Sequence, residues 1–138
     1  DEFQDNSFTK EEMKLVWETQ KILNDYDLLV NATAVRVPVK IGHAEAVNIE
    51  TEIGITPDQV KEILSKSQGV KVVDDVSKNS YPSPRTHGHE TDDVFVGRIR
   101  KDYTLKNGIN LWVVADNLRK GAALNSIQIA ETLIQSYI

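Results

Sequence analysis

The sequence contains no cysteine. Disulfides, thiolate metal ligands and a cysteine nucleophile are therefore excluded within this chain, and nothing points to an oxidising compartment. No apolar run approaches the roughly 20 residues of a membrane span. The first residues, Asp1 to Asn6, are acidic and polar, unlike a secretory signal. Basic charge is the scarcer sign: 16 Lys and Arg stand against 21 Asp and Glu, for a formal net charge of -5. No Lys/Arg cluster with interleaved aromatics appears, so nucleic acid is not the expected partner, because phosphate binding needs a basic patch. The patterns G-x-G-x-x-G and G-x-x-x-x-G-K-[ST] are missing too, so neither a dinucleotide turn nor a P-loop is encoded. No serine sits in a G-x-S-x-G context.

What is present is an ordinary globular composition, 40% hydrophobic and 27% charged over 138 residues. That length carries one compact domain with a core, and residues 1–138 read as a single domain. Asp1 stands where an initiator methionine would be, and a helical pattern runs from Ser126 to Ile138. Both ends are expected to be boundaries inside something larger. A cytoplasmic location is the default expectation.

Thr9 to Tyr26 reads as a helix opened by a Thr9/Glu12 capping box, with Met13, Val16, Trp17 and Leu23 as its apolar stripe. Asn31 to Lys40 reads as a strand, because Val35, Val37 and Val39 alternate with Arg36, Pro38 and Lys40. Gly42 permits a bend, and Val47 to Ile53 alternates as a second strand. Thr56-Pro57-Asp58-Gln59 caps a short helix to about Lys66, which Gly69 ends, and Val70 to Val73 is a short strand. Asp74 to Asp93 has no apolar periodicity and reads as a long irregular segment. Strands resume at Val94 to Arg100 and Leu111 to Ala115, with Asn107-Gly108 as a turn between them. The second of these is nearly continuous apolar, as expected for a strand covered on both faces. Asn117 to Ile138 reads as a final helix, with Leu118, Ala122, Asn125, Ile129 and Leu133 along one flank. This order predicts an α+β fold with a mixed, largely antiparallel sheet packed against helices.

Several polar residues interrupt apolar elements. Arg36 sits in a valine-rich stretch and is either a solvated strand face or an anion clamp, since guanidinium grips a carboxylate through two parallel hydrogen bonds. His43 follows Gly42 directly; it is either an exposed structural histidine or a proton-transfer group. Glu18 and Lys21 share one helix face, which by pattern alone reads as a surface ion pair. His87-Gly88-His89-Glu90 offers the start of a metal loop, but no further ligands stand out to complete one. Gly97-Arg98-Ile99-Arg100-Lys101 is either a small anion site or a charged strand face.

Taken together, four blocks resemble one family, the aspartate-semialdehyde dehydrogenases. Phe3-Gln4-Asp5-Asn6, with Thr9-Lys10-Glu11-Glu12 and Glu18-Thr19-Gln20-Lys21-Ile22-Leu23, resembles the segment entering that family's substrate helix. Arg36-Val37-Pro38-Val39-x-x-Gly42-His43 resembles its catalytic-histidine motif. Val96-Gly97-Arg98-Ile99-Arg100 and Asp116-Asn117-Leu118-Arg119-Lys120-Gly121-Ala122-Ala123-Leu124-Asn125 resemble two further stretches, and the match spans nearly the whole chain in the family's order.

The resemblance implies the carboxy-terminal substrate and dimerisation domain of such an enzyme, similar in fold to the corresponding domain of glyceraldehyde-3-phosphate dehydrogenase and incomplete without a Rossmann half. It implies reduction of β-aspartyl phosphate with NADPH to aspartate semialdehyde and phosphate, on the route to lysine, threonine and methionine. A cysteine thiolate forms the acyl-enzyme in that chemistry. By the same resemblance His43 is the acid/base, Arg36 grips the substrate α-carboxylate, Glu18 meets its amino group and Lys21 lies on the phosphate side. Asn117 lies against the NADP nicotinamide. The family's cysteine and nucleotide-binding half have no counterpart here, so the chain alone is expected to be inactive and to bind no NADP. A homodimer, or a tetramer built on it, is expected, and one face of the last helix should lack the cover it has in the family. Two other readings compete: a non-catalytic dimerisation or binding module, and a sister reductase of N-acetyl-glutamyl phosphate.

Overall fold

The computed structural model describes residues 2–137. The chain divides into two compact units, one ending at Pro38 and the other beginning at Val39.

The first unit is built on α1 (Lys10–Leu23). Thr9 caps it as the sequence predicts: the Thr9 hydroxyl accepts from the Glu12 N–H, and the Glu12 carboxylate accepts from the Thr9 N–H. Asn24 ends the helix in the left-handed conformation at φ 52°. Beyond it the chain is tied back to the helix by Gln20, whose Nε2 donates to the Tyr26 and Leu28 carbonyls. The strand expected over Asn31 to Lys40 does not form; the segment is extended but joins no ladder. Alternating valines satisfy the local preference for strand, but a strand needs a partner for its N–H and C=O groups. Here Val35, Val37 and Val39 stay exposed.

The second unit is a four-stranded sheet ordered β1-β4-β3-β2. Its strands are β1 (His43–Glu50), β2 (Val70–Val72), β3 (Val94–Lys101) and β4 (Gly108–Ala115). β1 pairs with β4 and β4 with β3, both antiparallel, while β2 joins β3 in parallel. The mixed, largely antiparallel α+β fold is therefore as read from sequence. β1 starts at His43 rather than Val47 because its whole length pairs with β4, from His43↔Ala115 to Glu50↔Gly108. β4 likewise starts at Gly108, where the sequence reading placed the turn.

That register sorts the side chains. Val47, Leu111, Val113 and Val96 share one face with His43. Toward β2 this face is covered by α2 (Pro57–Lys66), opened by a Thr56/Gln59 capping box with Pro57 at the first helical position. Such a threonine cap contributes about 1 kcal/mol. Val96, Ile99 and Ile109 form the buried cluster, with Val60 and Leu64 of α2 packed against it.

Residues 74–93, read as merely irregular, cover the opposite face. A 3₁₀ turn (Val76–Lys78) and α3 (Pro84–His87) punctuate this segment. The Trp112 indole donates to the Pro82 carbonyl at 2.9 Å, and the His87 ring lies 4.7 Å from the Phe95 ring. Gly97 makes that packing possible: a Cβ there would meet the Val73 carbonyl at 2.2 Å and Pro82 Cδ at 2.6 Å. β4 is thus covered on both faces, as its continuous apolar sequence required.

β3 carries a bulge between Gly97 and Arg100, where Arg98 adopts φ 53°. The Asp74 carboxylate receives the Arg98 and Ile99 N–H groups, and Lys61 of α2 bonds the same carboxylate at 2.9 Å. After β4 the final helix departs from a continuous α-helix over Asn117 to Ile138. It opens as a wider π turn (Arg119–Ala123) and becomes α4 (Leu124–Tyr137). Ile138 lies outside the described residues. Ile127, Ile129, Leu133 and Ile134 are exposed along α4, which leaves it an uncovered apolar surface.

Candidate functional site

The sequence-predicted residues fall into both units. Glu18, Lys21 and Arg36 belong to the first, His43 and Asn117 to the second.

In the first unit Glu18 and Lys21 lie one turn apart on α1, both exposed. Among the described residues the ion pair on α1 is Lys14–Glu11 at 3.6 Å, and no ion pair joins Glu18 to Lys21. Arg36 is exposed in the extended segment, two residues past an anchor that the sequence reading missed. Glu12 Oε1 accepts the Ala34 N–H at 2.9 Å while Oε2 holds Thr9. The capping glutamate therefore fastens the segment bearing Arg36 to the helix bearing Glu18 and Lys21. Hydrogen bonds from the Thr9 and then the Ala34 N–H hold its carboxyl below the usual glutamate value. The cap was legible in the T-x-x-E pattern; the second bond was not, because it joins positions 22 apart.

In the second unit the structure brings His43 and Asn117 to the same end of the sheet. His43 opens β1 opposite Ala115, and Asn117 lies two residues past that partner. The Gly42 N–H donates to Asn117 Oδ1 at 2.7 Å. This fixes the asparagine amide with its oxygen toward Gly42, and Nδ2 donates to no protein acceptor among the described residues. The His43 ring is exposed.

Gly42 has φ +102°, and a Cβ on it would come within 2.9 Å of the Gly88 carbonyl and 3.2 Å of Gly88 Cα. A Cβ on Gly88 would in turn meet the Pro84 backbone at 2.8 Å. Two backbones therefore touch at the residue before His43, as only glycines allow. The His-Gly-His-Glu loop supplies the second of them. Its His87 is engaged by Phe95 and Thr86, with Nδ1 2.7 Å from the Thr86 hydroxyl, and no group of three or more metal-ligating side chains occurs among the described residues.

Asp116 was also missed. It is 2% exposed, and its two oxygens receive three backbone N–H groups: Leu118 and Arg119 on Oδ1, Glu90 on Oδ2. Burial pushes this carboxyl up, but the Arg119, Leu118 and Glu90 N–H groups and the nearby His89 charge outweigh it, so it rests below the ordinary aspartate value. An Asp just before a helical run is a readable cap signal. Its reach to Glu90 is not local. The Arg98/Arg100 stretch carries no converging donor set: Arg98 lies 5.9 Å over the Tyr81 ring, and Arg100 donates to the Arg98 carbonyl.

The fold and these residues define an α+β domain with a histidine at a sheet end and a carboxylate, lysine and arginine on a separate unit. Its sequence matches the family model described as semialdehyde dehydrogenase, dimerisation domain, over residues 1–120, and the chain belongs to that family. It is 54% identical over 138 residues to an aspartate-semialdehyde dehydrogenase of Legionella pneumophila, covering 100% of this chain and 40% of that protein. In structure it is similar to aspartate semialdehyde dehydrogenase II of Vibrio cholerae complexed with ASA, with TM-score 0.93 and 51% identity, again over 100% of this chain and 40% of the other. An aspartate semialdehyde dehydrogenase with NADP from Candida albicans aligns with TM-score 0.75 and 28% identity, over 92% of this chain and 43% of that one. The chain thus spans about 40% of the length of the relatives it matches. No helix among the described residues is long and apolar enough to cross a membrane.

Proposed function

We propose that this chain is the carboxy-terminal substrate-binding and dimerisation domain of a cytoplasmic, NADP-dependent aspartate-semialdehyde dehydrogenase. The observation that carries this reading is the join of Gly42 to Asn117 beside His43, within a family whose named relatives are such dehydrogenases. His43, exposed at the start of β1, holds and moves the proton of the reacting centre. Arg36 takes the α-carboxylate of β-aspartyl phosphate or aspartate semialdehyde through its planar fork. Glu18 meets the α-amino group and Lys21 the phosphate. Asn117, with Oδ1 held by Gly42, offers its Nδ2 as a donor fitted to the nicotinamide carboxamide, so these residues suit NADP on the nicotinamide side. When bound, NADPH supplies the hydride.

The chain has no cysteine, so the thiolate that forms the acyl-enzyme belongs to another part of the protein. The isolated chain is accordingly expected to show no turnover and no measurable NADP affinity. The test is phosphate-dependent oxidation of aspartate semialdehyde by the complete protein with NADP and with NAD, beside the isolated chain freed of host enzyme. Activity of the complete protein with NADP and none from the chain is the expected result. Turnover by the isolated chain, or a complete protein that uses N-acetyl-glutamate semialdehyde instead, overturns the reading.

A further inference from the structure

The buried carboxylate of Asp116 closes a ring of contacts that passes through Gly42, the residue before His43. Its Oδ2 receives the Glu90 N–H at 2.8 Å, which pins the loop that begins at Gly88. Gly88 is pressed against Gly42 with no room for a Cβ on either residue. Gly42 donates to Asn117, and Asn117 is bonded through the chain to Asp116. The ring contains two hydrogen bonds and one backbone contact, and His43 is attached to it at Gly42. Glu90 is held at φ 56°, a conformation costly for a residue with a Cβ. The loop therefore needs a specific anchor, and the carboxylate provides it.

We propose that Asp116 is a positioning residue for the His43–Asn117 pair: through Glu90 and Gly88 it fixes the backbone of Gly42, and with it the histidine ring and the asparagine amide. The inference rests on the reading of His43 as the proton-transfer group. Asp116 touches no substrate in this account; it acts through backbone geometry, and small misplacements of a reacting group carry large rate penalties. The charged groups around it are His89 and Glu90 on the loop, Asp92 just beyond it and Arg119 on the π turn, with Arg119 paired to Asp92.

The test uses the complete enzyme. Asp116→Asn keeps an acceptor for Leu118 and Arg119 but turns an amide donor toward the Glu90 N–H. Asp116→Ser keeps a helix cap, since serine caps about as well as aspartate, and is too short to reach Glu90. Ile109→Val, a core change remote from the ring, serves as the control with a comparable fall in Tm. The expected result is a kcat lowered roughly ten-fold or more in either Asp116 variant, with KM for the semialdehyde within about two-fold and Ile109→Val unchanged in kcat. In a His43→Asn background the Asp116 change should lower kcat by much less than in the parent, because the part of its effect that runs through the histidine is already lost. Near-normal kcat in the Asp116 variants, a loss matched by Ile109→Val, or a loss fully additive with His43→Asn overturns the positioning role. Failure of both Asp116 variants to fold also overturns it, leaving Asp116 a residue of the fold alone. Near-normal kcat in His43→Asn instead removes the underlying reading of His43.

Discussion

The backbone N–H of Gly42 and the side-chain oxygen of Asn117 are hydrogen bonded at 2.7 Å across 75 positions of sequence. Through this bond the residue before the histidine and a residue two positions past the end of β4 share one geometry. The amide of Asn117 is thereby oriented before any ligand arrives, which lowers the cost of binding to it.

Two substitutions at Asn117 separate anchoring from recognition. Asn117→Asp keeps an oxygen for Gly42 and replaces the Nδ2 donor with an acceptor. It should leave Tm within a few degrees while raising KM for NADP. Asn117→Ala loses both functions, and should lower Tm and kcat together. Unchanged cofactor KM in a folded Asn117→Asp enzyme would take this residue out of cofactor recognition.

His43→Asn in the complete enzyme should leave the fold intact, because the ring is exposed and buries nothing. A positioned acid/base typically contributes about 10²–10⁴-fold, so kcat should fall by that order. Steady-state kinetics on both proteins beside a thermal melt is the measurement, and near-normal kcat in a folded variant would remove His43 from the mechanism.

Arg36 is exposed on an extended segment outside the sheet, so Arg36→Lys should not change stability. As a carboxylate clamp it loses the planar fork, and an ammonium does not restore two parallel bonds. A charge-assisted hydrogen bond is worth on the order of 1.5–3 kcal/mol, so kcat/KM should fall roughly ten-fold or more. Steady-state kinetics beside a thermal melt give the answer; unchanged kinetics would return Arg36 to the role of a solvated side chain.

Acid should destabilise the second unit in a way that Asp116 helps to set. Its carboxyl is held below the ordinary value in the fold, against about 3.9 unfolded. Such a group contributes stability above the unfolded value, and that contribution is lost as pH falls through the lower folded one. Asp75, Asp92 and Asp102 are shifted in the same direction by their own hydrogen bonds. Melting curves should therefore fall steeply below about pH 4. In Asp116→Asn the midpoint at neutral pH should be lower and its fall with acid shallower. A parallel pair of curves would show that Asp116 takes no part in the acid transition.

The chain should self-associate as a two-fold dimer, as its match to a dimerisation domain leads one to expect. Sedimentation at tens of micromolar is the measurement. A single 15.5 kDa species would mean that this unit alone does not build the interface.

The caps of α1 and α2, the bend at Gly42, α2 itself, the short strand β2 and the doubly covered β4 were legible in the sequence. Each is a local rule: a hydroxyl three residues from its partner, a glycine where φ is positive, a run of apolar residues of strand length. Residue types drew attention to Arg36 and His43 while leaving two readings open for each, and pattern alone left Glu18 and Lys21 as a surface pair; Asn117, and a role for any of the five, came only from the family resemblance. The tertiary structure decided what depends on partners distant in sequence. The valine-rich stretch before His43 is no strand because no neighbouring strand pairs with it, whereas β1 runs from His43 because β4 pairs along all of it. The final helix begins as a π turn on Asp116, whose other oxygen reaches 26 residues back to Glu90. Local sequence fixes dihedral preferences and side-chain chemistry; only the folded chain determines which distant N–H group a carboxylate receives.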